Sequence, residues 1–381
     1  MDKLIVNCQK VDFQKGLGVP SFLLRLCDVL DSHYNIIFWA ERRDQIEHLR
    51  EMSRFGNAKH VSDKSDVNEL GEFIEVLPHH FQEKTFGRKA ITICHDMHVF
   101  DISWKYSNHK DLQKKYVQNL KDVDAVFTHF PRTYYELEKT IGKNINSLFL
   151  TESPLLLYKE IYGYMEARGT NTLVENNDVP FFFYPAQRQR HKNHVGLIEA
   201  TAVLARRGRE FMIKCAGSSF SPDYDRELFG LIQKLGVEDR FSFLDRVSDE
   251  EIVRHYDKCV AVVIPSLAEG GAYVALEALA MGKPVCISRI SSAQRHLQMV
   301  RGEVLWFDGS NPISIADSME RVLAGEAKSL YSYNEIARSR IRDMTWETVA
   351  DRWRIVIDWL MGRRSRPIVG IDKDAWNITY S

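Results

Sequence analysis

Short apolar runs alternate with longer amphipathic stretches along the first half of the chain. The runs are LIVN at 4–7, NIIFWA at 35–40, AITICHD at 90–96 and DAVFTHF at 124–130, and the segment SFLLRLCDVL follows Pro20 between the first two. Short apolar runs bounded by polar residues predict strands, and the amphipathic segments predict helices. The second half repeats the rhythm with FFFYPA at 181–186, the helical HVGLIEATAVLARRG, EFMIKCAG at 210–217, RFSFLD at 240–245, VAVVIPS at 260–266 and KPVCIS at 283–288. Strands that are apolar throughout and separated by helices pair in parallel and are covered on both faces. Each half is therefore expected to form its own doubly wound α/β sheet. The polar stretch 166–180, EARGTNTLVENNDVP, is the expected linker. The domains then run 1–170 and 171–345, with 346–381 as a C-terminal helix and tail packing back across their junction. Open α/β sheets bind ligands at the carboxyl ends of their strands, so the cleft between the two sheets is the expected ligand site.

Composition narrows the partners. The 381 residues exceed one ordinary core. Fifty-one Lys and Arg against 52 Asp and Glu leave a net charge of −1, and no long basic block offers a footprint for nucleic acid. No apolar stretch approaches the roughly 18 to 20 residues that span a bilayer, and MDKLIVNCQKVDF lacks the apolar core of a secretory signal. The six cysteines show no CxxC pairing and read as buried thiols of a cytoplasmic protein. The segment Trp104–Lys121 is locally basic and reads first as a solvated helix face. Its Lys105, Lys110, Lys114 and Lys115 would supply a peripheral contact with the inner face of a membrane if the acceptor were lipid-linked. Asp122-Val123-Asp124 has the spacing of a metal-binding D-x-D. It directly precedes an apolar strand with no further carboxylate pattern, so it reads as a solvated corner and no metal site is expected.

The richest passage is PSLAEGGAYVALEALAMGKPVCIS, residues 265–288. A buried strand breaks into the turn Glu269-Gly270-Gly271-Ala272, a helix follows, and Gly282-Lys283-Pro284 ends it. Amides at such a helix start, near Gly271, Ala272 and Tyr273, favour an anion. Glu277 lies eight positions after Glu269, and at about 100° per residue the two miss a common helix face by about 80°. Glu269 must sit on the turn and Glu277 on the helix, a layout that suits a ligand with two sets of hydroxyls and phosphates between them.

Here the chain resembles the retaining glycosyltransferases of the GT-B fold, specifically glycosyltransferase family 4, or group 1, whose signature is E-x7-E. The resemblance implies two Rossmann-like domains facing across a cleft, the first on the acceptor side and the second binding the nucleotide sugar. It implies that Glu269 contacts the donor sugar, that Glu277 binds the ribose hydroxyls, and that the amides of Gly270, Gly271, Ala272 and Tyr273 lie along the diphosphate. The family's G-F-G-L-P is here Gly270-Gly271-Ala272-Tyr273-Val274, with Ala in place of the second Gly. In FFFYPAQRQRHKNH the resemblance places Lys192 and one of Arg188 and Arg190 on the diphosphate, where two fixed cations counter the charge of the leaving group in place of a metal. Gly217 in CAGSS resembles the family's A-G-x-G strand end, and Arg246 and Val247 fall where the family contacts the base. In the first half, His95-Asp96 resembles the strand-end His-Asp whose histidine lies against the donor sugar, although His98 is equally near. Gly16-Leu17-Gly18 resembles the family's glycine loop.

The implied activity is transfer of a hexosyl unit from a nucleotide diphosphate sugar to a hydroxyl of a glycan or lipid-linked glycan. The anomeric configuration is retained, and no cofactor is needed besides the donor itself. GDP-mannose leads UDP-glucose, UDP-galactose and UDP-N-acetylhexosamine as donor, and the setting is surface polysaccharide or lipopolysaccharide assembly. A nucleotide-sugar epimerase of the same fold and a catalytically silent subunit of an assembly complex are the alternatives.

Overall fold

The computed structural model describes residues 1–11, 18–42, 59–141, 147–151, 154–168, 179–245, 247–330, 334–371 and 378–380. The chain divides into two compact units, residues 1–156 with 344–381 and residues 157–343. Most of the expected linker, 169–178, lies outside the described residues.

The first unit holds seven parallel strands: β1 Lys3–Asn7, β2 Asn35–Trp39, β3 Lys59–Val61, β4 Ile74–Leu77, β5 Lys89–Cys94, β6 Ala125–Thr128 and β7 Leu148–Leu150. Their order is β3-β2-β1-β4-β5-β6-β7, so the winding reverses between β1 and β4. The runs at 4–7, 35–40, 90–96 and 124–130 became β1, β2, β5 and β6, while β3, β4 and β7 carried no sufficient apolar run. In β4 the interruption is Glu75, a fully buried carboxylate. It accepts hydrogen bonds from Asn7 Nδ2 at 2.8 Å, the Thr85 amide at 3.0 Å and the Phe86 amide at 3.2 Å. A charge in the sheet interior is tolerable only with its lone pairs satisfied in this way.

The helix Trp346–Leu360 starts where Thr345 Oγ1 accepts the Thr348 amide at 3.3 Å. It packs on the helix Gly18–Leu30 and stacks Trp353 on Phe127 of β6 at 4.4 Å. The C-terminal residues thus complete the first unit's core. The basic helix is observed as His109–Asp122, with Tyr116 and Leu120 buried. Its Lys110 and Lys114 are exposed, and Lys115 pairs with Glu83 at 2.6 Å. Asp124 accepts the Ala90 amide at 2.9 Å and Lys84 Nζ at 3.2 Å, which accounts for the acidic corner structurally. Among the described residues no helix is long and apolar enough to cross a membrane.

The second unit has six parallel strands: β8 Phe181–Pro185, β9 Met212–Ala216, β10 Phe241–Leu244, β11 Ala261–Ile264, β12 Val285–Ser288 and β13 Leu305–Phe307. The order β10-β9-β8-β11-β12-β13 repeats the reversal, here between β8 and β11. A short antiparallel pair, β14 Val369–Ile371 with β15 Ile378–Tyr380, lies in the C-terminal segment. All six cysteines are buried and unbridged. Burial pushes every one of these thiols up, Cys286 to about 12.

Removing the Glu75 carboxylate would take the shared acceptor from Asn7 Nδ2 and from the Thr85 and Phe86 amides. Glu75→Ala is expected to lower the unfolding free energy by about 3 kcal/mol, measured by urea denaturation, and a loss below about 0.5 kcal/mol would refute this account of β4.

Candidate active site

In a doubly wound sheet the loops that follow two strands flanking the reversal leave side by side, which opens a space at the carboxyl edge. In the second unit those loops follow β8 and β11. The first carries a 3-10 turn, Arg190–Lys192, and the second carries Glu269. Lys192 Nζ lies 2.7 and 2.8 Å from the two carboxylate oxygens of Glu269, closing an ion pair between residues 77 apart in sequence. Both side chains are about one-fifth exposed, 21% and 16%.

The two loops are bolted together beneath this pair. The Tyr184 hydroxyl donates to the Lys192 carbonyl at 2.8 Å and lies 3.0 Å from Ser266 Oγ. The Leu267 amide donates to the His191 carbonyl at 2.7 Å. Asn193 adopts left-handed backbone, φ 58°, and caps the helix His194–Arg206 by accepting the Gly196 amide. Its Nδ2 donates to the Pro265 and Gly309 carbonyls at 3.1 and 2.8 Å. One side chain therefore starts a helix and ties three loops.

Of the two arginines, Arg188 turns inward and is 4% exposed. It donates to Asp225 at 2.9 and 3.2 Å, to Asp245 at 2.8 Å and to the Gly217 carbonyl at 2.8 Å. The two carboxylates more than offset burial and hold its pKa above the ordinary arginine value. Gly217 has φ 151°, and a Cβ there would lie 2.4 Å from the Ala186 carbonyl oxygen, so only glycine fits where the β8 and β9 loops touch. Arg190 points elsewhere, pairing with Glu227 at 2.6 Å on an exposed surface and lying over Tyr224.

Glu269 sits on the turn and Glu277 within the helix Tyr273–Ala280, as the spacing requires. Gly282, at φ 70°, follows the helix end. Gly270 and Gly271 are half-buried. The Ala272 amide, expected on a diphosphate, instead donates to Nδ1 of the buried His296 at 2.9 Å. Burial pulls this imidazole down to about 4, so it is neutral at pH 7 with Nδ1 as acceptor. Tyr273, the next residue, lies edge-on to the same ring. Glu277 is only 6% exposed. It accepts from the Tyr256 hydroxyl at 2.7 Å and from the Leu157 amide, while burial pushes its pKa up to about 7. Val247 is half-buried beside Ser248, the cap of the helix Asp249–Lys258. Arg246 lies outside the described residues.

In the first unit His95 follows β5. Its Nε2 is 2.8 Å from the Pro78 carbonyl and must donate to it, so whenever the ring is neutral Nδ1 is left as acceptor. Burial, the largest cause, lowers its pKa. Phe22, His79 and His129 surround the ring. His98 pairs instead with Asp96. Gly18 opens the helix Gly18–Leu30, and Gly16 lies outside the described residues. Among the described residues no group of three or more His, Cys, Asp or Glu is placed to hold a metal ion.

The sequence reading overlooked Tyr184, Asn193, Tyr256 and His296. Asn193, polar and immediately ahead of an apolar helical run, is the one that a capping rule would have found.

Glu277 carries a stability signature. Its folded value, about 7, exceeds the ordinary 4.5, so between these pH values the folded chain holds a proton that the unfolded chain releases. Its contribution is complete below pH 4.5 and is lost as pH rises through 7. Glu277→Gln, which cannot ionise, is expected to raise the unfolding free energy measured by urea denaturation at pH 8 more than at pH 5, the two shifts differing by about 2.5 kcal/mol. Equal shifts at both pH values would contradict the raised pKa.

Residues 170–340 match the family model described as glycosyl transferases group 1. An uncharacterized glycosyltransferase of Methanocaldococcus jannaschii is 31% identical over 167 residues, 42% of this chain and 40% of that protein. The D-inositol 3-phosphate glycosyltransferase of Corynebacterium diphtheriae is 29% identical over 168 residues, 43% of this chain and 39% of that protein. The chain thus spans about two-fifths of the length of these curated relatives. In fold, it resembles the sucrose-phosphate synthase of Thermosynechococcus elongatus, with a TM-score of 0.72 at 16% identity over 96% of this chain and all of that one. It also resembles the Anabaena protein HepE solved with UDP-glucose, with a TM-score of 0.69 at 15% identity over 95% of this chain and all of that one. Residues 170–340, which contain the Lys192–Glu269 pair and Glu277, are thus similar to the group 1 glycosyl transferases, and the chain's two Rossmann-like units are those of the GT-B fold.

Proposed function

We propose that this protein transfers a hexosyl unit from a nucleotide diphosphate sugar to a hydroxyl of a glycan acceptor, with retention at the anomeric carbon and without a metal ion. The observation that carries this reading is the Lys192–Glu269 pair at the strand reversal of the second unit. A donor diphosphate takes Lys192 from Glu269, and the freed carboxylate accepts hydrogen bonds from the sugar hydroxyls. As the glycosidic bond breaks, charge grows on the leaving diphosphate and Lys192 Nζ stands ready to counter it. The turn amides of Gly270, Gly271 and Tyr273 lie along the phosphates on this reading, and Glu277 accepts from the ribose. Arg188, already satisfied by two carboxylates and a carbonyl, shapes the Gly217 loop, with Val247 and Arg246 toward the base. Arg190 is the arginine that turns to phosphate, because its exposed pair with Glu227 is worth only about 0–1 kcal/mol. In the first unit, His95 Nδ1 and the Gly16–Gly18 loop receive hydroxyl groups.

The relatives and structural neighbours frame the donor and acceptor. HepE was solved with UDP-glucose and the corynebacterial relatives are named for an inositol phosphate, while the family resemblance favours GDP-mannose and a surface polysaccharide or lipopolysaccharide. The setting on this reading is cytoplasmic, with peripheral contact at the inner membrane face through Lys110 and Lys114. A thermal-shift comparison of GDP with UDP separates the donors, since a ligand at 100 times its Kd stabilises by about 2.7 kcal/mol.

Two measurements test the assignment. Product NMR is expected to show the donor's anomeric configuration retained. An inverted product refutes the mechanism, an isomerised free nucleotide sugar points to the epimerase, and no turnover with any donor points to a silent subunit. Lys192→Met and Glu269→Ala are expected to lower kcat by about 10²- to 10³-fold. Glu269→Ala should leave affinity for the bare nucleotide nearly unchanged, whereas Glu277→Ala weakens it by about 1.5–3 kcal/mol. Equal losses of nucleotide affinity in both glutamate variants would sink these roles.

A further inference from the structure

We infer that Tyr256 is a positioning residue for nucleotide binding, holding Glu277 ionised and aimed for the ribose through its phenolic hydroxyl. The inference rests on the proposed contact between Glu277 and the ribose.

Tyr256 is fully buried on the helix Asp249–Lys258, and its hydroxyl lies 2.7 Å from Glu277 Oε2. The ring has little freedom. Phe183 of β8 meets it edge-on with centroids 5.3 Å apart, and its own carbonyl accepts from Cys259 Sγ at 3.2 Å. The helix itself is fixed by a capping box in which Ser248 and Glu251 satisfy each other's end amides. A phenol held this way is a donor of set direction. Burial raises its own pKa well above the ordinary range, so the proton stays on tyrosine and the negative charge on glutamate.

The surroundings of Glu277 make that donor decisive. Around the carboxylate, the segment at 157–160 supplies the Leu157 amide and the acidic Glu160, and the helix Asp249–Lys258 supplies Tyr256 and the acidic Asp249. The helix Glu335–Asp343, packed on the helix that bears Glu277, directs Arg340 away to the Met299 carbonyl at 2.8 Å. Burial and two acidic neighbours favour the protonated acid, and Tyr256 and the Leu157 amide favour the carboxylate. With the balance near pH 7, losing one donor moves ionisation to higher pH. A carboxylate accepts ribose hydroxyls in charge-assisted bonds that a neutral acid cannot match.

The test is calorimetric titration of UDP and GDP into the intact chain from pH 6 to pH 9, with wild type, Tyr256→Phe, Glu277→Gln and the double variant. For whichever nucleotide binds, Tyr256→Phe is expected to weaken affinity about 5- to 10-fold at pH 7 and less than 2-fold at pH 9, where the carboxylate is ionised in both proteins. Glu277→Gln should remove the part of the pH dependence that is not the diphosphate's own. In that background Tyr256→Phe should cost less than 2-fold. A Tyr256→Phe curve that coincides with wild type, or is displaced by the same factor at every pH, overturns the inference while leaving Glu277 on the ribose. If Glu277→Gln binds as wild type at every pH, the ribose contact fails, and this inference with it.

Discussion

Because β8 and β11 lie parallel and adjacent, the chain must leave both at one edge of the sheet, and every other feature of the candidate site follows from that adjacency. It delivers Lys192 and Glu269 to the same few ångströms. It also lets Tyr184, Asn193 and Leu267 lock the two loops before any ligand arrives. A pair of opposite charges at moderate exposure contributes little to stability by itself. It is kept in register by the neutral hydrogen bonds beneath it, so its partners can be exchanged without disturbing the fold.

The buried charges of the molecule fall on two sides of a line set by how many donors surround them. Glu75 has three donors within 3.2 Å and serves only to close β4 over β1 and the 85–86 loop. Arg188 likewise spends four hydrogen bonds on Asp225, Asp245 and Gly217. Glu277 has two donors against two acidic neighbours, and its carboxyl is poised between its two protonation states near neutral pH. Full satisfaction makes a charge structural, and partial satisfaction leaves it responsive to a ligand.

Nine strands were legible as apolar runs, and both sheets followed from their parallel character. The strands that escaped are short, as at Lys59–Val61 and Leu305–Phe307, or interrupted by a charge, as at Glu75, because periodicity reports only side chains that meet apolar neighbours. At the site, the eight-residue spacing of two glutamates separated turn from helix correctly. What the sequence did not disclose depends on contacts distant in the chain. Tyr256 is 21 residues from Glu277, and His296 is 24 from Ala272. Nothing in the sequence singles out either residue until the fold brings them to a carboxylate and an amide. The choice between Arg188 and Arg190 was equally hidden, since two residues of a strand-end loop diverge toward partners on a later helix.

The six thiols are divided evenly, with Cys8, Cys27 and Cys94 in one unit and Cys215, Cys259 and Cys286 in the other. Since the thiolate is the reactive form and burial suppresses it, each sulfur meets an oxidant or electrophile only when its surroundings open. Chemical durability and conformational durability are therefore the same property in this protein. The rate at which each sulfur is modified becomes a clock for the breathing of the unit that encloses it.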